Sequence, residues 1–244
     1  MALELLKFFH GVFIFIFVLI TLIVGLIILL KYFTYQHKLY IYVGIAWMGM
    51  AVPWLPDAIV FLVLAFNIPI SAWYINAEWY FILGTGFIPF FIICWLVAMR
   101  DLIYPKQGIK IIIVNFIIGI LYEVCFFYLL FTDISQLGTF EGIYETRFGL
   151  LISGFVIYAL ITIIITGLHF SINAQRSDEP ESRLKGKFLL IAFITFIIGT
   201  ILDTGLIIIV TDVIGLTKLL LMSSSIEFYI GYIMPERIKK IFLK

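Results

Sequence analysis

The chain has 244 residues, 64% of them hydrophobic and 13% charged, with a mean hydropathy of +1.17 and a formal net charge of +1. Soluble domains carry about 25% charged residues, so this chain has too little charge to cover a water-soluble surface, and its near-neutrality leaves no basic face for nucleic acid. Three histidines and two cysteines, Cys94 and Cys125, both inside apolar runs without CxxC spacing, exclude a rich metal site and read as apolar core residues.

Seven stretches reach the roughly 20 mostly apolar residues that a spanning helix needs. The first, Phe8 to Leu30, is longer than a signal-peptide core and no small-residue cleavage site follows it, so it reads as an uncleaved span. The second runs from Leu39 to Phe66 through GIAWMGMAVPWLPDA, where Pro53 and Pro56 remove two backbone donors and predict a kink, while Gly44 and Gly49 permit close helix approach. The third, Trp79 to Met99, carries Pro89 and a second expected kink. The fourth is Ile111 to Thr132, the fifth Phe148 to Phe170, the sixth Phe188 to Val210 and the seventh Ile214 to Met234, closed by Pro235. Hydrocarbon offers backbone groups no partner, so these are helices rather than strands, because a barrel would show short alternating segments. The predicted fold is an all-α, polytopic seven-helix domain over residues 1–235. Residues 236–244 follow as a short basic tail, with Ile238, Ile241 and Phe242 set against Lys239, Lys240 and Lys244 as in an amphipathic helix on a membrane surface.

Orientation follows from the basic residues. Alternate connections and the tail hold thirteen Lys and Arg, and the opposite set holds Lys7, Arg147 and Lys218 alone. The positive-inside rule therefore puts the C-terminus in the cytoplasm and the N-terminus outside the cell membrane. Glu78, Asp133, Glu141 and Glu145 make the outer loops mildly acidic. Tyr32, Phe33, Tyr35, Trp73, Trp79 and Tyr80 fit interfacial aromatic belts. The inner segment from Ser171 to Lys187 is the most polar connector. Its Arg176, Arg183, Lys185 and Lys187 are the candidate docking residues for a cytoplasmic signalling partner.

Four acids lie within spans: Asp57, Glu123, Asp203 and Glu227. Each costs about 2.5–3.5 kcal/mol near a helix centre, which a span rich in Leu, Ile and Phe tolerates once. No Lys or Arg lies deep in a span to pair with them. Counting about 1.5 Å per residue puts Asp57 and Glu123 roughly 13 Å, and Asp203 roughly 10 Å, below the outer ends of their helices. Glu227 falls nearer the midplane. His10 and Lys218 stand at the outer rim, Lys218 either reaching an acid below it or snorkelling to water. Hydroxyl donors include Tyr122, Thr85, Thr200, Thr204 and Ser223 to Ser225. The expectation is a polar cavity in the outer half of the bilayer lined by Asp57, Glu123, Asp203 and Trp54, because intramembrane ionisable groups are functional candidates by default.

No internal repeat, serine-hydrolase motif, His-rich ligand set or phosphate-transfer motif is visible, so the reading is a non-enzyme without cofactor. The chain resembles, in topology, the seven-helix sensor region that precedes some membrane histidine kinases. The likeness is carried by Trp79, Gly84, Pro89 and Arg100 of the third span, and by Arg183, Leu184, Lys185, Gly186 and Lys187 leading into the sixth. That resemblance implies a receptor-like module. It departs in one respect: an output domain follows in those sensors, whereas here the sequence stops at Lys244, so signalling would pass through a separate partner. A retinal protein is not expected, because the middle of the seventh span is Met222 to Ser225 rather than lysine. The alternative is a small transporter or channel for a cation, proton or small solute.

Overall fold

The computed structural model describes residues 2–68, 76–106, 108–140, 144, 146–203 and 214–243. Trp73, Glu141, Glu145, Thr204, Lys244 and the end of the sixth predicted span lie outside them. The described residues form α1 (Ala2–Tyr35), α2 (Leu39–Gly49), α3 (Leu55–Ala65), α4 (Ala77–Phe81), α5 (Ile88–Leu102), α6 (Gly108–Thr132), α7 (Leu150–Gln175), α8 (Pro180–Asp203), α9 (Ile214–Ile233) and α10 (Glu236–Phe242), with a two-stranded hairpin of β1 (Gly138–Phe140) and β2 (Thr146–Phe148). Six helical stretches among them are long and apolar enough to cross a membrane: Lys7–Tyr35, Leu39–Ala65, Ala77–Leu102, Gly108–Thr132, Leu150–Gln175 and Pro180–Asp203. The seventh predicted span is the helix α9, which carries Lys218, Glu227 and three serines and is not among those six.

The prolines act as their chemistry demands. Pro53 and Pro56 cannot donate to the preceding turn, and the second span breaks between α2 and α3 into a 3₁₀ turn, Val52–Trp54. The third span breaks as well. A π-helical turn, Ile82–Gly86, separates α4 from α5, and Pro89 sits in the first turn of α5, where its missing N–H does no harm. Close approach uses glycine where expected: a Cβ on Gly44 would lie 2.6 Å from the carbonyl oxygen of Gly25, so α1 and α2 touch through backbone.

Packing neighbours run α1, α2, α5, α7, α8, α9 and back to α1, a closed ring, with α6 set against the outside of α5. Aromatic side chains fill the middle. Trp47 stacks on Phe228 with centroids 3.5 Å apart, Phe228 meets Phe193, and Phe193 meets Trp95, whose indole N–H donates to Thr166 across to α7 at 2.7 Å. The outward faces stay apolar, as Leu19, Ile23, Leu26 and Leu30 on α1 and Ile113, Phe116, Ile120 and Phe127 on α6 show. Such faces suit hydrocarbon and would be an aggregation hazard in water.

Two local expectations change. The polar connector expected from Ser171 to Lys187 is mostly helix: α7 runs to Gln175 and α8 starts at Pro180, leaving a four-residue link. Pro180 at the first helical position and Glu181 beside the helix N-terminus explain the early start. Arg183, Lys185 and Lys187 thus project from α8, while Arg176 caps α7. The hairpin between α6 and α7 had no sequence expectation. Its strands pair Gly138 with Phe148 and Phe140 with Thr146.

Candidate functional site

The site forms where the broken second span meets α8 and α9. Trp54 stands in the 3₁₀ turn that Pro53 imposes, with its indole N–H turned across the bundle to donate to Asp203 Oδ2 at 2.6 Å. The Lys218 ammonium, on α9, donates to the same oxygen at 2.7 Å and lies 5.2 Å from the centroid of the Trp54 ring. The Thr217 hydroxyl donates to Asp203 Oδ1 at 3.1 Å. One carboxylate therefore gathers three donors from two further elements. The ammonium, 1% exposed as a residue, is compensated by the ion pair and by the indole face. Phe17 of α1 also meets Trp54, in an edge-on contact at 5.2 Å.

Asp57 lies in the first turn of α3 and is 7% exposed. The Tyr80 phenol donates to Asp57 Oδ1 at 2.9 Å, and the Thr146 hydroxyl on β2 donates in turn to the Tyr80 oxygen at 2.9 Å. Phe140 of β1 packs against both Tyr80 and Phe81. Tyr144, between the strands, meets the ring of His10 edge-on at 5.4 Å. The hairpin thus sits over the polar cluster and is hydrogen-bonded into it. Asp203 and Lys218 are near enough to act electrostatically on both Asp57 and His10.

The other two acids are elsewhere. Glu227 accepts from Thr195 of α8 at 2.7 Å and from Ser223 one turn earlier in α9 at 2.7 Å, a satisfied hydrogen-bonded contact between two helices. Glu123, half-buried on α6, makes no hydrogen bond or ion pair among the described residues and does not join Asp57 or Asp203. The layer of three acids expected from counting depth along each helix therefore reduces to two. Depth alone fixes height and not the face of the helix, and α6 lies outside the ring. Of the two expectations for Lys218, reaching an acid below it and snorkelling to water, the structure has the first: the ammonium pairs with Asp203. Tyr122 serves α6, its phenol donating to the Thr85 carbonyl at 3.3 Å, which the π-helical turn presents.

Further into the bundle, Thr21 and Ser225 share a hydrogen bond at 2.8 Å between α1 and α9. Trp47 Nε1 and Thr200 Oγ1 are buried without a protein partner among the described residues. Groups of this kind are where internal water is expected. Among the described residues no three His, Cys, Asp or Glu side chains come together to hold a metal ion. The connections that sequence reasoning missed are Tyr80, read only as an interfacial aromatic, and Thr146. No family model, curated protein or solved structure matches this chain, so the likeness to kinase sensor regions rests on the residues quoted for it.

Proposed function

We propose that this chain is a receptor-like sensory module of the cell membrane. Seven helices cross the bilayer with the N-terminus outside, and the Asp203–Lys218 pair is the element that responds. The observation that carries this reading is that pair, buried, shared with Trp54 at a break in the second span, and roofed by a hairpin tied to Asp57 through Tyr80. A buried ion pair is held by a near balance of desolvation and attraction. Any external species that competes for the Asp203 carboxylate or the Lys218 ammonium changes that balance by several kcal/mol, enough to shift a two-state bundle.

α8 links this site to the cytoplasmic end. Its 24 residues make a rod about 36 Å long, with Asp203 at one end and Glu181 at the other. Glu181 binds Lys185 at 2.8 Å and reaches Lys239 of α10 at 2.5 Å, while Phe188 meets Phe242 edge-on at 5.7 Å. Displacement of α8 against α9 therefore moves the tail helix. The exposed basic residues Arg183 and Lys187 on α8, beside Arg176, are the surface for a cytoplasmic partner.

The seventh crossing is supported by how α9 packs. It meets Asp203 through Lys218, Thr21 through Ser225 and Tyr40 through Tyr232, and so follows the bundle from one end to the other. The test is reconstitution into liposomes with a spin label on α10. Asp203→Asn should alter the label's mobility while ion and proton flux stay at background. Flux through the wild type that Asp203→Asn or Asp57→Asn abolishes would replace sensing with transport.

A further inference from the structure

α6 and α7 are consecutive helices that touch through Tyr122–Phe155 and Asn115–Tyr158. A wide-open groove of about 610 Å3 runs along their seam, with Leu121, Cys125 and Leu129 on one wall and Leu151, Gly154 and Phe155 on the other. It lies within two membrane-spanning stretches, Gly108–Thr132 and Leu150–Gln175, and of the six stretches these bury the smallest share of their residues, 17% and 28%. Leu150, at its mouth, is 91% exposed. Gly154 leaves the α7 wall open: a Cβ there would meet nothing within 4 Å.

Polar side chains stand at its two ends, and the lining between them is apolar apart from Tyr122 and Cys125. At the hairpin end stands Gln136, its amide donating to Asp133 at 2.8 Å. At the other end the Tyr158 phenol donates to Asn115 at 2.5 Å and ties α6 to α7 below the opening. From Ile118 to Leu129 the groove extends roughly 16 Å along α6. Half of a bilayer's hydrocarbon core is about 15 Å deep. The dimensions are those of one leaflet, and the lining is that of a hydrocarbon chain.

We propose that this groove is a binding site for a single acyl chain of a bilayer phospholipid, entering from the leaflet on the hairpin side, with its headgroup beside Gln136. The site does not depend on whether the polar cluster senses or transports. It does touch that cluster: Tyr122, in the groove wall, stacks on Phe155 at 3.9 Å and hydrogen-bonds the π-helical turn that directly follows the Tyr80 helix. An occupied groove holds Tyr122 in that stack.

The experiment uses the full chain in phosphatidylcholine vesicles in which one acyl chain carries a diazirine. Photolysis followed by peptide mapping should place adducts several-fold more often on residues 118–129 and 150–158 than on the equally exposed apolar face of α1. Gly154→Trp, which projects an indole from the α7 wall into the groove, should bring the groove peptides down to the α1 level. Cys125→Phe, on the opposite wall, should do the same, and it decides the matter if Gly154→Trp does not reconstitute. Adducts spread evenly over all exposed helix faces, or an enrichment that survives both substitutions in folded protein, would overturn the site.

Discussion

Lys218 shows most clearly what side-chain chemistry contributes and what only the fold supplies. Any charge inside an apolar run stands out in the sequence, so Asp57, Asp203 and Lys218 were all legible as candidates. Which acid Lys218 would meet was not. Counting along a single helix puts Lys218 near a rim, and only the packing of α9 against α8 sets its ammonium 2.7 Å from Asp203. Removing one member of a buried pair leaves an uncompensated charge and costs about 3–5 kcal/mol, whereas replacing both with apolar groups of similar size is far milder. Lys218→Met should therefore lower the unfolding midpoint in detergent sharply, and Lys218→Met combined with Asp203→Leu should recover most of the loss. Equal destabilisation by the single and double variants would mean that the two charges do not depend on each other. The Tyr80 phenol makes a second coupled pair. Tyr80→Phe should cost about 1–3 kcal/mol by leaving buried Asp57 short of a donor. Thr146→Val on that background should add little, because its hydroxyl bonds the very oxygen already removed. Additive losses would show that the hairpin and Asp57 are independent.

At the scale of elements, the two proline breaks were readable because proline acts locally: the missing N–H and the ring act within one turn of the residue itself. The hairpin was not readable. Two three-residue strands give too short an alternation to register, and what stabilises them is contact of Phe140 and Phe148 with Phe81, a residue from another part of the chain. The early start of α8 was hidden for a related reason, since a polar first turn resembles a connector until its N-terminal proline is weighed. The tail was expected to be a short amphipathic helix on a membrane surface; it is the helix α10, and it meets α8 through Lys239–Glu181 and Phe242–Phe188. These two contacts differ in worth. The ion pair is solvent-accessible, and such pairs contribute about 0–1 kcal/mol, so Lys239→Ala should leave hydrogen exchange in α10 nearly unchanged. Phe242→Ala removes apolar contact that salt does not screen and should raise exchange in residues 236–242 by a larger factor. If Lys239→Ala proves the more disruptive, charge rather than packing docks the tail.

For the whole molecule, the central question is whether α9 crosses the bilayer, because the number of crossings fixes which sides the termini occupy. Six crossings put both termini on one face and seven put them on opposite faces. Hydropathy cannot decide it, since α9 carries Lys218, Ser223, Ser224, Ser225 and Glu227 in 20 residues. Packing explains why that composition is tolerable. Lys218 and Ser225 turn inward to Asp203 and Thr21, and Glu227 is satisfied by Thr195, so little of this polarity faces hydrocarbon. A helix of 20 residues is about 30 Å long, which equals the hydrocarbon thickness. The thirteen-to-three division of basic residues depends on the same crossing, because with six spans the tail's Arg237, Lys239, Lys240 and Lys244 would join the sparse side. Single-cysteine variants on a background lacking Cys94 and Cys125 test this directly. A cysteine at Lys7 should react with a membrane-impermeant maleimide from outside intact cells. One at Lys240 should react only after the membrane is opened. Labelling of both from the same side would leave α9 as a helix that does not span, and would remove the outward-facing placement of the Asp203–Lys218 pair.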